Sequence, residues 1–234
     1  MPGGGPRAIY QAGIEPIYTT EYKDKAEVHA AARAVNEEIC EEGFVLLKNK
    51  DSALPLYTPA TEGDKAASAA PKISVFGKNS VNLAYGGSGS GGTDTTSGGF
   101  VDLYAALEDA GYDVNPTLKS FYEDDGASGA KRKGNSKDLD SGDTVILTTA
   151  ETPQSKYTQA VKDSYADYKD MALIVITRIG GEGFDLPRLM TKTDGKGNVT
   201  DVEGARAGKD DHFLQLDQNE SDMVKAVCDA GFDR

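Results

Sequence analysis

The spacing of apolar residues predicts that the chain begins with a helix and continues into short apolar strands. Within residues 26–42 the apolar side chains stand at positions 28, 31, 32, 35 and 39, which is helical spacing, and Gly43 follows as a helix stop. The next apolar run, FVLLKN at 44–49, is of strand type. After a polar, proline-bounded loop at 58–71, KISVFG at 72–77 predicts a buried strand that a glycine ends.

The middle of the chain continues this alternation of helices and strands. Phe100, Leu103 and Leu107 would line one face of a helix over residues 100–110. Gly111 closes that helix, and YDV follows as a short strand. The segment NPTLKSFY then predicts a short helix with a proline at its first position.

The last third of the chain carries the clearest helix and strand signals. Residues 155–170, SKYTQAVKDSYADYKD, predict one amphipathic helix that leads into the strand MALIVITR at 171–178. The last helix is LDQNESDMVKAVCDAG at 216–231. Asp217 stands three residues before Glu220, which indicates a capping box, and the helix ends at a glycine.

Repeated alternation of strands and helices predicts an α/β fold: a mixed, largely parallel sheet flanked by helices, with KISVFG and ALIVIT as central strands. A helix that closes at Gly231 should feed a further strand, yet only FDR follows. We therefore expect a domain that is incomplete at its C-terminal end. Such a domain leaves an unpaired sheet edge, which favours self-association into a homo-oligomer.

Charge and cysteine content narrow the classes of partner and compartment. The formal net charge of -13 argues against a nucleic acid or an anionic membrane surface as partner, because a polyanionic surface repels both. Cys40 and Cys228, far apart on predicted helices, indicate two buried thiols in a reducing compartment. The N-terminus has no apolar leader, and no apolar run approaches membrane-spanning length. These features predict a cytoplasmic protein.

The glycine-rich segment 85–99 satisfies the dinucleotide-binding pattern as a string, through Gly87, Gly89 and Gly92. That motif requires its glycines in the tight turn directly between strand and helix, and here additional residues separate them from both. The glycine pattern makes a nucleotide-binding α/β domain one hypothesis for this chain, ranked last of three. Small residues also permit close approach of backbone to a ligand, which suits the rim of a sugar site as well as a phosphate.

Two acidic segments invite a metal interpretation that their residue types do not support. The segment from Asp194 has Lys196 where an EF-hand places a carboxylate and Val199 where it needs glycine. The run 210–212, Asp-Asp-His, has no second histidine nearby in the sequence. We expect no metal and no cofactor.

Glu182 is the candidate for chemistry. It stands between glycines in RIGGEGFDLP, just after the predicted strand at 171–178. A carboxyl on a loop at the end of a buried strand has a rigid base, and flanking glycines let a substrate approach it, as a general acid requires. Gly-Glu-Gly is equally the sequence of an ordinary solvated turn, so the residues alone leave both interpretations open.

Several stretches in order resemble glycoside hydrolase family 3. They run from about residue 28 to 232: EEGFVLLKN, LPL, KISVFG, the glycine-rich segment, LYAALEDAGYDVNPTLKSFY, YTQAVKDSYADYKDMALIVITRIGGEGFDLP and HFLQLDQNESDMVKAVCDAGF. The most specific of these is RIGGEGFDLP. The similarity is to the α/β sandwich domain of β-glucosidases and related exo-acting enzymes, and it implies an N-terminal extension at 1–25 and a sandwich domain at 26–234.

The resemblance implies a division of chemistry between two domains. In the family a (β/α)8 barrel supplies an aspartate nucleophile, and the sandwich domain supplies the acid/base glutamate, onto which Glu182 falls. Sandwich motifs that begin this close to the N-terminus resemble the subgroup with the two domains in reversed order. No barrel is present in the chain, so the nucleophile would lie outside it and the chain alone would be inactive.

The leading hypothesis is therefore the acid/base half of a retaining β-glycosidase, a β-glucosidase-like hydrolase of O-glycosyl bonds in carbohydrate metabolism, acting on a β-linked glucoside or oligosaccharide. Arg178 and Asp185 lie close enough along the chain to orient Glu182, or to form structural salt links. Tyr85, Ser88 and Ser90 would contact the sugar. The alternative is a non-catalytic carbohydrate-binding or scaffold domain, in which the same glycine- and serine-rich rim binds saccharide without Glu182.

Overall fold

The computed structural model describes residues 21–55, 69–85, 100–132, 149–178, 191–193, 199–201, 212 and 214–234. The chain divides into two compact units, Met1–Ser52 and Ala53–Arg234.

The first unit is dominated by one helix, α1 (Lys25–Gly43). Asp24 caps it by accepting a hydrogen bond from the Glu27 amide (2.9 Å), and the Phe44 amide closes its last turn on the Cys40 carbonyl (2.9 Å). The prediction of this helix and of its stop is confirmed. The prediction of a strand at 44–49 is wrong: among the described residues no strand pairs with this run, and an apolar run becomes a strand only where another strand pairs with it.

The second unit is built on a three-stranded parallel sheet. Its strands are β1 (Lys72–Phe76), β2 (Asp113–Val114) and β3 (Met171–Ile174), in the order β2-β1-β3. β1 pairs with β3 from Ile73↔Met171 to Phe76↔Ile174. The Asp233 amide donates to the Lys169 carbonyl (3.1 Å) and the Ala172 amide to the Arg234 carbonyl (3.0 Å), so the last residues lie alongside β3. KISVFG thus forms the central strand, as predicted, whereas the strand at ALIVIT, β3, is at the edge of the three strands that the structure describes.

Helices cover both faces of this sheet. They are α2 (Leu103–Asp109), α3 (Pro116–Glu123), α4 (Asp125–Ser128), α5 (Gln159–Asp163) and α6 (Gln218–Ala230). Alternate residues of β1 feed two cores. Ile73 and Val75 pack with Tyr104 and Val114 on one face. Phe76 lies on the other face in a larger cluster that contains Leu118, Phe121, Tyr122, Tyr157, Val161, Met223 and Val227. The α/β class predicted from the sequence is confirmed.

The helix ends follow the sequence signals closely. Asn115 caps α3 by accepting from the Leu118 amide (3.1 Å), and proline occupies the first turn. The Asp217–Glu220 capping box of α6 is present in both directions, and Gly231 ends that helix at φ +67°. In these helices the local sequence was sufficient, because a cap depends only on residues within one turn of it.

The segment 155–170 differs from its prediction as one amphipathic helix. It contains a 3-10 turn at Gln154–Lys156, then α5, then a second 3-10 turn at Ser164–Asp167. Tyr157 is extended, and Thr158 starts a new helix by accepting from the Val161 amide (3.3 Å). The helix is thus interrupted at Tyr157, whose extended backbone goes with a side chain packed in the larger core.

A second, two-stranded sheet is separate from the main one. Its strands β4 (Thr191–Thr193) and β5 (Val199–Asp201) pair antiparallel.

Both cysteines are exposed, so the prediction of buried thiols is wrong. α1 buries none of its residues, and Cys228 lies outside the Met223 and Val227 stripe of α6 that faces the core. Within the described ranges no helix is long and apolar enough to cross a bilayer.

Candidate functional site

The two loops that the sequence analysis singled out leave the sheet at the same edge. β1 and β3 are parallel neighbours, so the segments that follow them start side by side at their carboxyl ends, where ligands bind in open α/β sheets. Tyr85 and Arg178 stand at the beginnings of these loops and are described. The other predicted site residues lie outside the described residues, so their roles stay predictions: Ser88, Ser90, Glu182 and Asp185.

Gly77 sets the direction in which the chain leaves β1. Its φ is +104°, and an added Cβ would lie 2.5 Å from the Val175 carbonyl oxygen beyond β3. Only glycine combines that backbone conformation with so close an approach. Its amide donates to the Tyr122 hydroxyl (3.0 Å), which fastens the first residue after β1 to a side chain of the larger core.

The residues that follow Gly77 are buried and fastened by their side chains. The Lys78 ammonium donates to the Tyr122 carbonyl, the Asp125 carboxylate (2.9 Å) and the Ser128 hydroxyl (2.8 Å), although Lys78 itself is only 1% exposed. Asn79 donates to the Thr149 carbonyl (2.8 Å). Residues 77–79 at the exit of β1 therefore form a buried platform that side-chain hydrogen bonds hold in place.

Glu151 is the buried acid of this platform. Its carboxylate accepts from the Thr152 amide (2.8 Å) and from the Lys78 amide (3.1 and 3.2 Å). Burial raises the pKa of Glu151 to about 7; the two backbone donors oppose that rise, and the charges of Glu220 and Asp217 add to it. At neutral pH the Glu151 carboxyl is therefore protonated in some molecules and ionised in others.

Two tyrosine hydroxyls lie beside the same acid. The hydroxyls of Tyr122 and Tyr157 are hydrogen-bonded at 2.6 Å, and both rings are in the larger core. Burial raises the pKa of each well above its ordinary value, and the Glu151 charge raises both further. Both hydroxyls therefore keep their protons at neutral pH, and one of them donates to the other.

Arg178 determines how the chain leaves β3. Its guanidinium forms a two-pronged ion pair with Glu220, Nη1 to Oε1 at 2.6 Å and Nη2 to Oε2 at 2.8 Å. Nη2 also donates to the Gln215 carbonyl (2.7 Å). The Glu220 side chain is 1% exposed and that of Arg178 is 12% exposed, so the pair is largely shielded from water. Of the two sequence interpretations of Arg178, the salt link is present.

The N-terminus of α6 connects the two loop exits. Asp217 accepts from the Thr149 hydroxyl, and burial raises the pKa of Asp217 above its ordinary range. The Asn219 amide group donates to the Glu151 carbonyl (3.2 Å). One turn of helix thus contacts the fastened exit of β1 through Glu151 and the exit of β3 through Arg178.

Tyr85 lines a small polar cleft at the stem of the glycine-rich segment. Its ring meets that of Phe100 edge to face, with centroids 4.6 Å apart. The cleft has a volume of about 220 Å³, and its walls include Asp102, Lys119 and Glu123. An aromatic ring beside carboxylates and an ammonium is a lining that can contact the apolar face and the hydroxyls of a sugar.

Sequence reasoning missed Glu151 altogether and saw Glu220 only as a capping residue. Nothing local marks Glu151, because its burial comes from elements distant in the sequence. The pairing of Glu220 with Arg178 joins residues 42 positions apart. Within the described ranges no three His, Cys, Asp or Glu side chains are grouped as a metal site requires, and Asp210 and Asp211 lie outside those ranges.

Comparison with known proteins decides the family. Residues 44–233 match the model of the glycosyl hydrolase family 3 C-terminal domain. The chain belongs to this family. No curated protein and no solved structure matches it significantly. The family 3 match spans the exits of both β1 and β3, so the Gly77 platform and the Arg178–Glu220 pair are features of a family 3 glycoside hydrolase domain.

Proposed function

We propose that Glu182 is the general acid/base of a retaining β-glycosidase, and that this chain is the domain that carries it. The observation that supports the proposal most strongly is the position of Arg178, four residues before Glu182, at the carboxyl end of a parallel strand and held by a buried ion pair. Membership of family 3 supports a glycoside as substrate and a catalytic domain as partner.

The proposed reaction has two steps. An aspartate of the partner (β/α)8 barrel attacks the anomeric carbon while Glu182 donates its proton to the departing glycosidic oxygen, which forms a glycosyl-enzyme. Glu182, now ionised, then removes a proton from water as the water attacks the same carbon and releases the sugar. Retention of configuration requires the two carboxyl groups to lie about 5 to 5.5 Å apart.

The residues around Glu182 have supporting roles in this proposal. Asp185 orients Glu182 from the same segment. Tyr85, Ser88 and Ser90 form a rim that contacts the sugar or its leaving group, with the Tyr85 ring as one wall of the cleft described above. The substrate is a β-linked glucoside or a related oligosaccharide.

The nucleophile belongs to the barrel, so we expect the 234-residue chain by itself to show no turnover. Incubation of the pure chain with an activated aryl β-glucoside measures this directly. Saturable hydrolysis by the chain alone would mean that the nucleophile has been assigned to the wrong domain.

The role of Glu182 is tested by Glu182→Ala in a polypeptide that joins this chain to its barrel. Loss of a general acid should lower kcat/KM on a disaccharide by ~10²–10⁴-fold, because the sugar leaving group needs protonation. An activated phenol needs little protonation, so glycosylation should survive and the glycosyl-enzyme should accumulate. Azide needs no base, so it should restore turnover and yield a β-glycosyl azide.

Asp185→Ala is the matched control, because it removes a carboxylate from the same segment and leaves the base in place. We expect no azide rescue of this variant. Rescue of Asp185→Ala but not of Glu182→Ala would transfer the role to Asp185. Rescue of neither would make Glu182 a turn residue.

A non-catalytic carbohydrate-binding role is the second candidate, and the cleft at Tyr85 favours it. The cleft is lined by an aromatic pair and by charged side chains, and it does not include Glu182. Under this hypothesis saccharide binding persists in Glu182→Ala and is lost in Tyr85→Ala. Titration calorimetry of the chain with cello-oligosaccharides separates these outcomes.

A further inference from the structure

A second cleft lies between α6 and the segment 154–167, which consists of a 3-10 turn, α5 and another 3-10 turn. Its volume is about 400 Å³, within the ~300–1,000 Å³ range of small-molecule sites. Among the described residues it shares no lining with the cleft at Tyr85. Its described lining comes from one strand, that segment and one helix: Phe76, Gln154, Tyr157, Lys162, Tyr165, Met223, Ala226, Val227, Asp229 and Ala230.

Two features of the sequence leave this space open. Met223, Ala226 and Ala230 lie on one face of α6, three or four residues apart, and the two alanines project little from it. On the other side of the cleft the helix is interrupted at Tyr157, so the segment does not continue as one helix beside α6. Protein interiors are otherwise close-packed, so a space of this size against the larger core can accommodate a ligand.

The lining of this cleft favours an aromatic ligand. The rings of Phe76 and Tyr165 meet edge to face, with centroids 5.1 Å apart and planes at 71°. A further ring can join such a pair in the offset or edge-to-face geometry that aromatic rings prefer. The buried Met223 adds a polarisable thioether, which is favourable beside an aromatic ring. The many hydroxyls of a sugar would lose their hydrogen bonds to water against this apolar lining.

Two polar side chains of the lining can bind one ligand hydroxyl. Among the described residues, neither the Tyr165 hydroxyl nor the Gln154 side-chain amide has a hydrogen-bond partner. Burial raises the pKa of Tyr165 well above its ordinary value, so its hydroxyl keeps its proton at neutral pH and can donate. The charged residues of the described lining, Lys162 and Asp229, have opposite signs and give no net attraction to an ion.

We infer that this cleft binds an uncharged phenol of one or two fused rings, whose ring packs against Phe76 and Tyr165 and whose hydroxyl forms a hydrogen bond with Tyr165. The inference is independent of the role of Glu182, because it requires neither the partner domain nor the segment after β3. It can therefore be tested on the 234-residue chain.

The probe is 2-naphthol, whose fluorescence anisotropy reports binding without a tryptophan background, since the chain has no tryptophan. We expect saturable binding of one molecule per chain. Naphthalene lacks the hydroxyl and should bind roughly threefold to tenfold more weakly in competition, the contribution of one neutral hydrogen bond. Decahydro-2-naphthol keeps the hydroxyl but has saturated rings, and it should also bind roughly threefold to tenfold more weakly.

Variants of the lining place the ligand in this cleft. Ala226→Leu puts a larger side chain into the space and should weaken binding of 2-naphthol by roughly tenfold or more. Ala160→Leu is the matched control, because Ala160 is an exposed residue of α5 outside the described lining, and it should leave the affinity unchanged. Tyr165→Phe keeps the ring and removes the hydroxyl, so it should weaken 2-naphthol roughly threefold to tenfold and leave naphthalene unchanged.

Thermal melting of each variant shows whether it is folded. Unchanged affinity in folded Ala226→Leu, or an equal loss in Ala160→Leu, would mean that 2-naphthol binds elsewhere and would overturn the inference. If Ala226→Leu does not fold, Tyr165→Phe decides: equal effects on 2-naphthol and naphthalene would refute the hydroxyl contact. Binding of decahydro-2-naphthol as tight as that of 2-naphthol would refute the aromatic class, and uptake of 2-naphthol without saturation would refute the site.

Discussion

The exits of β1 and β3 lie side by side at one edge of the sheet, yet they are held in different ways. Beyond β1, consecutive residues are fastened separately: Gly77 to Tyr122, Lys78 to three oxygens, and Asn79 to Thr149. Beyond β3, the described residues 175–178 form one ion pair, between Arg178 and Glu220. The β1 exit distributes its side-chain contacts over three residues, whereas in the described part of the β3 exit, residues 175–178, the ion pair is made by Arg178. Loss of Glu220 should therefore loosen the β3 exit more than loss of any single contact loosens the β1 exit.

The largest expected effect on stability is at the β3 exit. Glu220→Ala leaves the Arg178 guanidinium largely buried without its carboxylate and removes the capping box, so we expect a loss of about 3 to 5 kcal/mol in the free energy of unfolding. Urea unfolding measures it. Lys225→Ala removes an exposed ion pair from the same helix and should leave the midpoint unchanged. Equal effects of the two substitutions would contradict the special status of the buried pair.

The next effect is at the β1 exit. In Gly77→Ala the new Cβ would lie 2.5 Å from the Val175 carbonyl oxygen, at a φ of +104°. We expect a loss of about 2 to 4 kcal/mol, since backbone strain and overpacking add. Gly129→Ala is the control: its φ is +108°, but nothing lies within 4 Å of the added Cβ. Equal losses of unfolding free energy in Gly77→Ala and Gly129→Ala would show that the backbone at Val175 moves to accept the new Cβ.

A pH dependence should distinguish the β1 platform. In the unfolded chain Glu151 has its ordinary pKa of 4.5, whereas in the folded protein the value is about 7. Between these values the folded state holds a proton that the unfolded state releases, so the free energy of unfolding falls as the pH rises.

Between pH 5.5 and 8 we expect Glu151 to account for a decrease of about 2 kcal/mol. Burial also raises the pKa of Asp217, which likewise lowers the free energy of unfolding as the pH rises. Urea titrations at several pH values measure the slope, and Glu151→Gln should flatten it. A slope of the opposite sign, or one that Glu151→Gln leaves unchanged, would show that this carboxyl is ionised throughout.

The smallest effect concerns the link between the platform and α6. Thr149→Val removes the hydroxyl that binds Asp217 and should cost about 1 kcal/mol. Thr152→Val is an isosteric control, because the Thr152 hydroxyl is buried and has no hydrogen-bond partner among the described residues. That substitution should be neutral or slightly stabilising. A larger loss in Thr152→Val than in Thr149→Val would mean that the link through Asp217 contributes nothing.

The prediction from sequence succeeded where structure depends on neighbouring residues. The first-turn proline of α3, the capping box at Asp217, the stop at Gly231 and the strands at 72–76 and 171–174 all follow from residues within a turn or a short apolar run. It failed where a distant partner was needed: 44–49 has strand character but no strand beside it, and 155–170 is broken to bring Tyr157 into the core.

The candidate site shows the same division. The sequence by itself determined the α/β class, which follows from apolar periodicity, and the family, which follows from the match of residues 44–233 to the family model. Only the tertiary structure decided that Arg178 pairs with Glu220 and that Glu151 is a buried acid with a pKa of about 7. Both depend on burial and on groups 42 or more positions away, and no local pattern records which distant side chains exclude water from a carboxylate.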